Sequence, residues 1–197
     1  MNRRNYCSKF LIHEVMTVSD STKSRIFEAA AKIIKERTVD EMTLEEVAKE
    51  ADISKGGLLY HFPSKEQLIE GLVEYYEQLF TQEMKAELEK ISDETKRPLS
   101  AYINAAFNFQ SKSHHISQGV LAASLLSPGL LSPVQKRLSD FTTKHDQYLK
   151  DEDMANIIRL AADGLWLEDI LELNTVPKSE RERLRTKLLE LAKEVEE

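Results

Sequence analysis

Five prolines and six glycines in 197 residues leave few points at which regular structure must break. Set against abundant Leu, Ala, Glu and Lys, that scarcity favours an all-helical chain. A single cysteine, Cys7, rules out an intramolecular disulfide and fits a reducing cytoplasm, the expected location. No apolar run approaches the roughly 20 residues that a bilayer-crossing helix needs, so no membrane is expected as a partner. Near the N-terminus, FLIHEVM is too short for the apolar core of a secretory signal and carries a charge. Positive charge is not in excess either: the formal net charge is -7, the wrong sign for a general nucleic-acid binder. A DNA reader with this balance must concentrate its cations locally and gain most of its affinity in one specific pose.

Catalytic patterns are missing as well. The chain shows no nucleophile–base constellation, no phosphate loop and no paired carboxylates at informative spacing, so neither an enzyme nor a cofactor is expected. His114 and His115 are adjacent, which turns their rings about 100° apart on a helix, and no Cys or carboxylate cluster joins them. They do not read as a metal site. The C-terminal two-thirds likewise offers no evident convergence of titratable groups.

What is present centres on residues 43–67, TLEEVAKEADISKGGLLYHFPSKEQ. Leu44, Val47, Ala48 and Ala51 fall at i, i+3, i+4 and i+7, one face of a helix. Thr43 precedes them with Glu46 three residues on, a capping box. Asp52-Ile53-Ser54 breaks the helix, and Ile53 is placed to plug the corner. Ser54 caps a second helix of about two turns through Lys55, Gly56, Gly57, Leu58, Leu59, Tyr60 and His61. Pro63 stops it, and Ser64 opens a third helix with Gln67 three residues on. Helix, tight turn and short helix make a helix-turn-helix.

ISKGGLLYHFPSKEQL resembles the DNA-reading segment of the tetracycline-repressor (TetR) family: a Gly-rich start, an aromatic-His-Phe triplet and a Ser-Lys pair opening helix four. The likeness spans roughly residues 21–70. It implies that Ser54, Lys55, Gly56, Gly57 and Leu59 lie at the DNA, with Lys55 in reach of a guanine edge or a phosphate. The same likeness makes Tyr60, His61 and Lys65 contact phosphates, while Leu58 and Phe62 point into the core. Gly56 and Gly57 each destabilise a helix by about 1 kcal/mol relative to Ala, and close approach of backbone to DNA accounts for them. Helix N-termini favour anions, which suits Lys65. Thr43, at the start of helix two, is either a cap alone or also a phosphate donor. Many relatives carry a small hydroxyl residue at the position of Gly57 and an aromatic at that of Leu59. Leu59 offers only apolar contact, such as to a thymine methyl, so shape readout is expected to carry part of the specificity.

Residues 1–20, with Arg3, Arg4 and Lys9, show no periodicity and read as a flexible leader rather than a basic arm; Met16 is a possible true start. Residues 21–66 form the helix-turn-helix head and residues 67–197 the body. Helical spacing predicts helix one over 21–37, helix four over 64–90, and helix five over 98–112 with Pro98 in its first turn. Helices six to nine are predicted near 116–126, from 132, over 153–173, and from Pro177. Tyr75 lies off the apolar stripe of helix four and is expected to face solvent or a cavity. Nine helices also agree with the resemblance, which implies three in the head, six in the body and a homodimer through helices eight and nine. It further implies a small apolar or amphipathic effector. Tyr102, Phe107, Phe109, Phe141 and Trp166 are the candidate pocket walls, with Met84 and Tyr148 near them.

Overall fold

A computed structural model describes residues 22–91, 97–126, 128–145 and 149–196, with residues 110–112, 126, 128 and 142–145 described by their backbone. The leader and Tyr148 lie outside the described residues or side chains. Among those described there are nine α-helices and no strand: α1 (Thr22–Glu36), α2 (Leu44–Glu50), α3 (Lys55–His61), α4 (Lys65–Glu89), α5 (Pro98–Lys112), α6 (His114–Leu126), α7 (Ser132–His145), α8 (Glu152–Ile170) and α9 (Lys178–Glu196). A 3-10 turn, Pro128–Leu131, joins α6 to α7. No described helix is long and apolar enough to cross a membrane.

The apolar stripe of α1 buries Ile26, Phe27, Ala30, Ile33 and Ile34, and Val47, Leu58 and Phe62 close over it. The same core continues without a break through Leu68, Leu72 and Tyr76 of α4 to Tyr102, Phe109, Ile116 and Val120. Head and body therefore share one apolar interior. A second cluster gathers Leu99 and Ile103 of α5, Ala155, Ile158 and Ala162 of α8, and Leu188, Ala192 and Val195 of α9. The stripe of α9 is thus consumed within the chain, leaving residues such as Arg183, Lys187 and Glu194 outside.

Helix limits differ from the periodicity where side chains cap. Asp151 accepts from Met154 N at 2.9 Å and starts α8 one residue early. Its end comes at Ile170, because Glu172 adopts φ 54 and turns the chain. Helix α5 lacks a side-chain cap from its own Arg97. Glu196, at the far end of α9, supplies one: its carboxylate accepts from Leu99 N (2.5 Å), Ser100 N (3.3 Å) and the Ser100 hydroxyl (2.6 Å). Of the two surroundings expected for Tyr75, solvent or a cavity, the second holds: it borders a cavity also lined by Glu28, Ala29 and His115. Its side chain is buried, stacked on Phe27 at 4.9 Å, because α1 covers that flank of α4. Burial, with the Glu28 charge adding, raises its phenol to about 12.

Helix α6 binds the head to the body. Gly119 lies so close to α1 that a Cβ there would meet Ala31 Cα at 3.0 Å. His115 contacts Glu28, and that hydrogen bond raises the imidazole pKa above its ordinary 6.5. Because the folded value is raised, the stability this pair adds is complete below pH 6.5 and is lost as pH rises through the folded value. His115→Gln is expected to flatten that part of the profile in urea unfolding; a wild-type–variant difference that stays constant above pH 6.5 would contradict the pairing. Glu196→Ala is expected to lower stability by about 1 kcal/mol, the usual loss of a helix cap, and an unchanged urea midpoint would remove Glu196 from that role.

Candidate nucleic-acid interface

Three helix N-termini built by hydroxyl caps define the outer surface of the head. At α2 the capping box is complete. Glu46 N donates to Thr43 Oγ1 (3.2 Å), while Thr43 N and the Thr43 hydroxyl donate to Glu46 Oε2 (3.2 and 2.8 Å). Arg37 holds the other Glu46 oxygen at 2.7 Å. The Thr43 hydroxyl bond, then Arg37 and the Thr43 backbone, keep the Glu46 carboxyl below its ordinary range. Helix α2 ends at Ala51, Asp52 takes φ 53, and half-buried Ile53 packs into the corner.

Ser54 Oγ then accepts from Gly57 N at 3.0 Å and starts α3. Leu58 is fully buried and Phe62 nearly so, which fixes the inner side of α3. Residues four apart lie on one face of a helix, so Lys55 with Leu59, and Gly56 with Tyr60, form the outer arc. Leu59 is 38% exposed and Tyr60 84%. Gly57 and His61 occupy the half-buried edge. A Cβ at Gly56 would meet nothing within 4 Å, whereas one at Gly57 would lie 3.2 Å from the capping Ser54 Oγ. Gly57 is thus pressed by its own cap, but nothing among the described residues requires glycine at position 56.

Cations at these ends are tethered. Lys55 Nζ lies 2.9 Å from Glu45 Oε2, an exposed pair of the kind worth at most about 1 kcal/mol. Ser64 caps α4 through Gln67 N (3.2 Å), and Lys65 Nζ donates to the Asp40 carbonyl at 2.9 Å. An ammonium has three donors, so this bond leaves others for an anion. Residues 22–66 hold eight Lys and Arg against nine Asp and Glu. The head as a whole is not basic, and its positive potential comes from these few placed groups and from helix ends.

The body places the expected pocket residues unevenly. Tyr102 and Phe109 are buried, and Tyr102 and Phe141 lie 5.1 Å apart between ring centroids. Phe109 meets Tyr76 at 5.2 Å, and Tyr76 meets Trp166 at 6.4 Å. Met84 packs partly buried against this core. Phe107 is separate: it faces the α5–α8–α9 cluster, with the Arg185 guanidinium 5.6 Å over its ring.

Titratable groups do converge among these aromatics, against expectation. Arg137 Nε donates to Glu77 Oε2 at 2.7 Å and its guanidinium lies 4.2 Å over Phe80. The Tyr102 hydroxyl donates to Asp163 Oδ1 (2.6 Å), and Arg159 donates to Asp163 Oδ2 (2.8 Å). Buried Glu77 Oε1 and Arg159 Nε have no hydrogen-bond partner among the described residues. Burial raises the Glu77 carboxyl despite Arg137, and burial with the Asp163 charge raises the Tyr102 phenol well above its ordinary value. These groups come from α4, α5, α7 and α8, so no local spacing announces them. The one local signal is Arg159 and Asp163, four apart on the side of α8 that also carries Trp166.

Residues 26–72 match the family described as bacterial regulatory proteins, tetR family, and residues 96–193 match the tetracyclin repressor-like C-terminal domain. The HTH-type transcriptional regulator CymR of Pseudomonas putida is 24% identical over 190 residues, covering 88% of this chain and 90% of that protein. An uncharacterized HTH-type transcriptional regulator of Bacillus subtilis, YuxN, is 39% identical over 51 residues. That match covers 26% of this chain but only 18% of YuxN. The solved structure of the TetR family transcriptional regulator PfmR from Thermus thermophilus superposes with a TM-score of 0.62 at 19% identity, covering 88% of this chain and 99% of that one. With a capped helix-turn-helix in the first matched region and a helical body in the second, this chain belongs to the TetR family of DNA-binding transcriptional regulators.

Proposed function

We propose that two copies of this chain hold a near-palindromic operator and repress transcription until a small effector occupies the body. The observation that carries the DNA-facing part is the outer arc of α3, where Gly56 borders open space and Tyr60 stands 84% exposed beside Lys55 and Leu59. A helix thinned at its start fits a major groove about 12 Å wide. Lys55, Gly56, Gly57 and Leu59 then lie against base edges, with Ser54 and Thr43 at the flanking helix starts. Tyr60, His61 and Lys65 hold phosphates and set the register.

Dimerisation is supported by α8. Ile157, Leu160, Leu167 and Leu171 are 59, 57, 39 and 50% exposed, and Gly164 between them meets nothing within 4 Å. Spaced three and four apart, they form one continuous outward stripe, for which a second copy related by a two-fold axis is the natural cover. The charged face of α9 flanks it. The half-buried Glu77–Arg137 and Tyr102–Asp163–Arg159 contacts, close to Phe80, Phe141 and Trp166, support an effector with an apolar frame and a polar end rather than a hydrocarbon. Such a ligand releases DNA by favouring a head separation that no longer matches the groove spacing.

Three measurements test this. Gly56→Leu is expected to fold normally, since its side chain enters open space, yet to lose on the order of 100-fold in affinity for a duplex selected from a random library; near wild-type binding would refute groove insertion by this face. Lys65→Ala is expected to weaken binding to every sequence alike and to reduce the slope of log K against log salt by about one. An unchanged slope would exclude a phosphate contact. Leu160→Glu is expected to give folded monomers by light scattering, and a persistent dimer would place the interface elsewhere.

A further inference from the structure

Helix α2 ends in a turn whose hydrogen bonds are complete: Asp52 N donates to the Lys49 carbonyl (3.2 Å) and Ile53 N to the Ala48 carbonyl (3.0 Å). This six-residue closure requires a left-handed residue after the cap, a place where glycine is favoured. Here that residue is Asp52, with φ 53. A side chain in that conformation is disfavoured, and the turn sets the angle at which α3 leaves α2.

Arg25 of α1 supplies what the turn lacks. Its Nη2 donates to the carbonyls of Ala51 at 2.5 Å and Asp52 at 2.9 Å, and lies 3.7 Å from the Asp52 carboxylate. Both carbonyls belong to the end of α2, where helix acceptors run out of internal donors. A cation also complements the negative end of the helix dipole there. The helix backbone that carries Arg25 is held in place, because Ile26 and Phe27 beside it are buried in the shared core, while the Arg25 side chain is about half exposed.

We infer that Arg25 is a positioning residue for DNA recognition: by holding the left-handed turn at Asp52 it fixes the angle of α3, and so the fit of Lys55, Leu59 and Tyr60 in the groove. This rests on the proposed DNA-facing role of α3. The contribution falls on specific binding, because only the specific pose needs α3 at one angle; loose association through phosphates tolerates a tilted helix. Arg25 acts through the turn, not on DNA.

The test compares wild type, Arg25→Ala, Asp52→Gly and the double variant. Affinity is measured for the best duplex recovered from a random library by the wild-type protein, and for poly(dI-dC), each over a series of salt concentrations. Arg25→Ala is expected to lose roughly tenfold or more for the selected duplex, the scale of one lost specific base contact. Its affinity for poly(dI-dC) and its salt slope are expected to stay at wild-type values. Adding Asp52→Gly is expected to recover most of the loss, since glycine closes the turn without help. Equal binding by Arg25→Ala and wild type overturns the inference. So does a salt slope reduced by about one, which marks a direct phosphate contact. A parallel fall in both affinities with the melting temperature, unrescued by Asp52→Gly, marks general loss of stability and also overturns it. A wild-type protein that enriches no sequence refutes the DNA-facing role of α3 itself, and the inference with it.

Discussion

Helix α1 is held on two sides at once, and the rest of the molecule depends on that. Ala31 meets Gly119 of α6 so closely that no larger residue fits between the backbones without moving a helix. Phe27 sits against Phe62 behind α3 and stacks on Tyr75 of α4. At the end of the helix, Lys35 pairs with Glu172 beyond α8, which Gln118 of α6 also reaches. A head with this many contacts does not swing freely on a linker. The direction in which α3 points is set by the packing of the body, because close-packed interiors shift between discrete arrangements rather than bending continuously.

That linkage gives the buried charges in the body a physical role. Two arginines and two carboxylates that are half-buried, with a buried phenol, are weak contributors to stability, because partial loss of water offsets much of their attraction. They do tie α4 to α7 and α5 to α8 in one relative arrangement. Since α4 starts at Lys65 beneath α3 and carries Glu77 further along, a shift at Glu77 reaches the base of the reading head through one rigid element.

Much of the head was legible because its signals are local. Thr43 with Glu46, Ser54 with Gly57, and Ser64 with Gln67 are all contacts across three residues, and each cap stands where its sequence placed it. The outward arc of α3 followed from Leu58 and Phe62 facing inward. Features requiring a partner from elsewhere in the chain stayed hidden. Arg25 meets Asp52 across 27 residues, Glu196 caps α5 across almost the whole body, and Glu77 finds Arg137 from another helix. The stripe on α9 was visible, but a pattern of leucines says that a face is covered without saying by what. Here α5 and α8 of the same chain cover it, leaving the outward apolar surface to α8. For Tyr75 the distance from the α4 stripe was apparent, and the aromatic ring of α1 stacked on it was not.

In the proposed dimer, two heads each fixed to its body would have a set span, and that is the property most open to a direct test. The measurement is affinity for duplexes in which the two selected half-sites are moved apart by single base pairs across one helical turn. Binding is expected to collapse when the shift reaches about half a turn, near five base pairs, and to recover partly as the sites return to one face of the duplex. Affinity that stays level across the series would contradict heads locked to their bodies through α1.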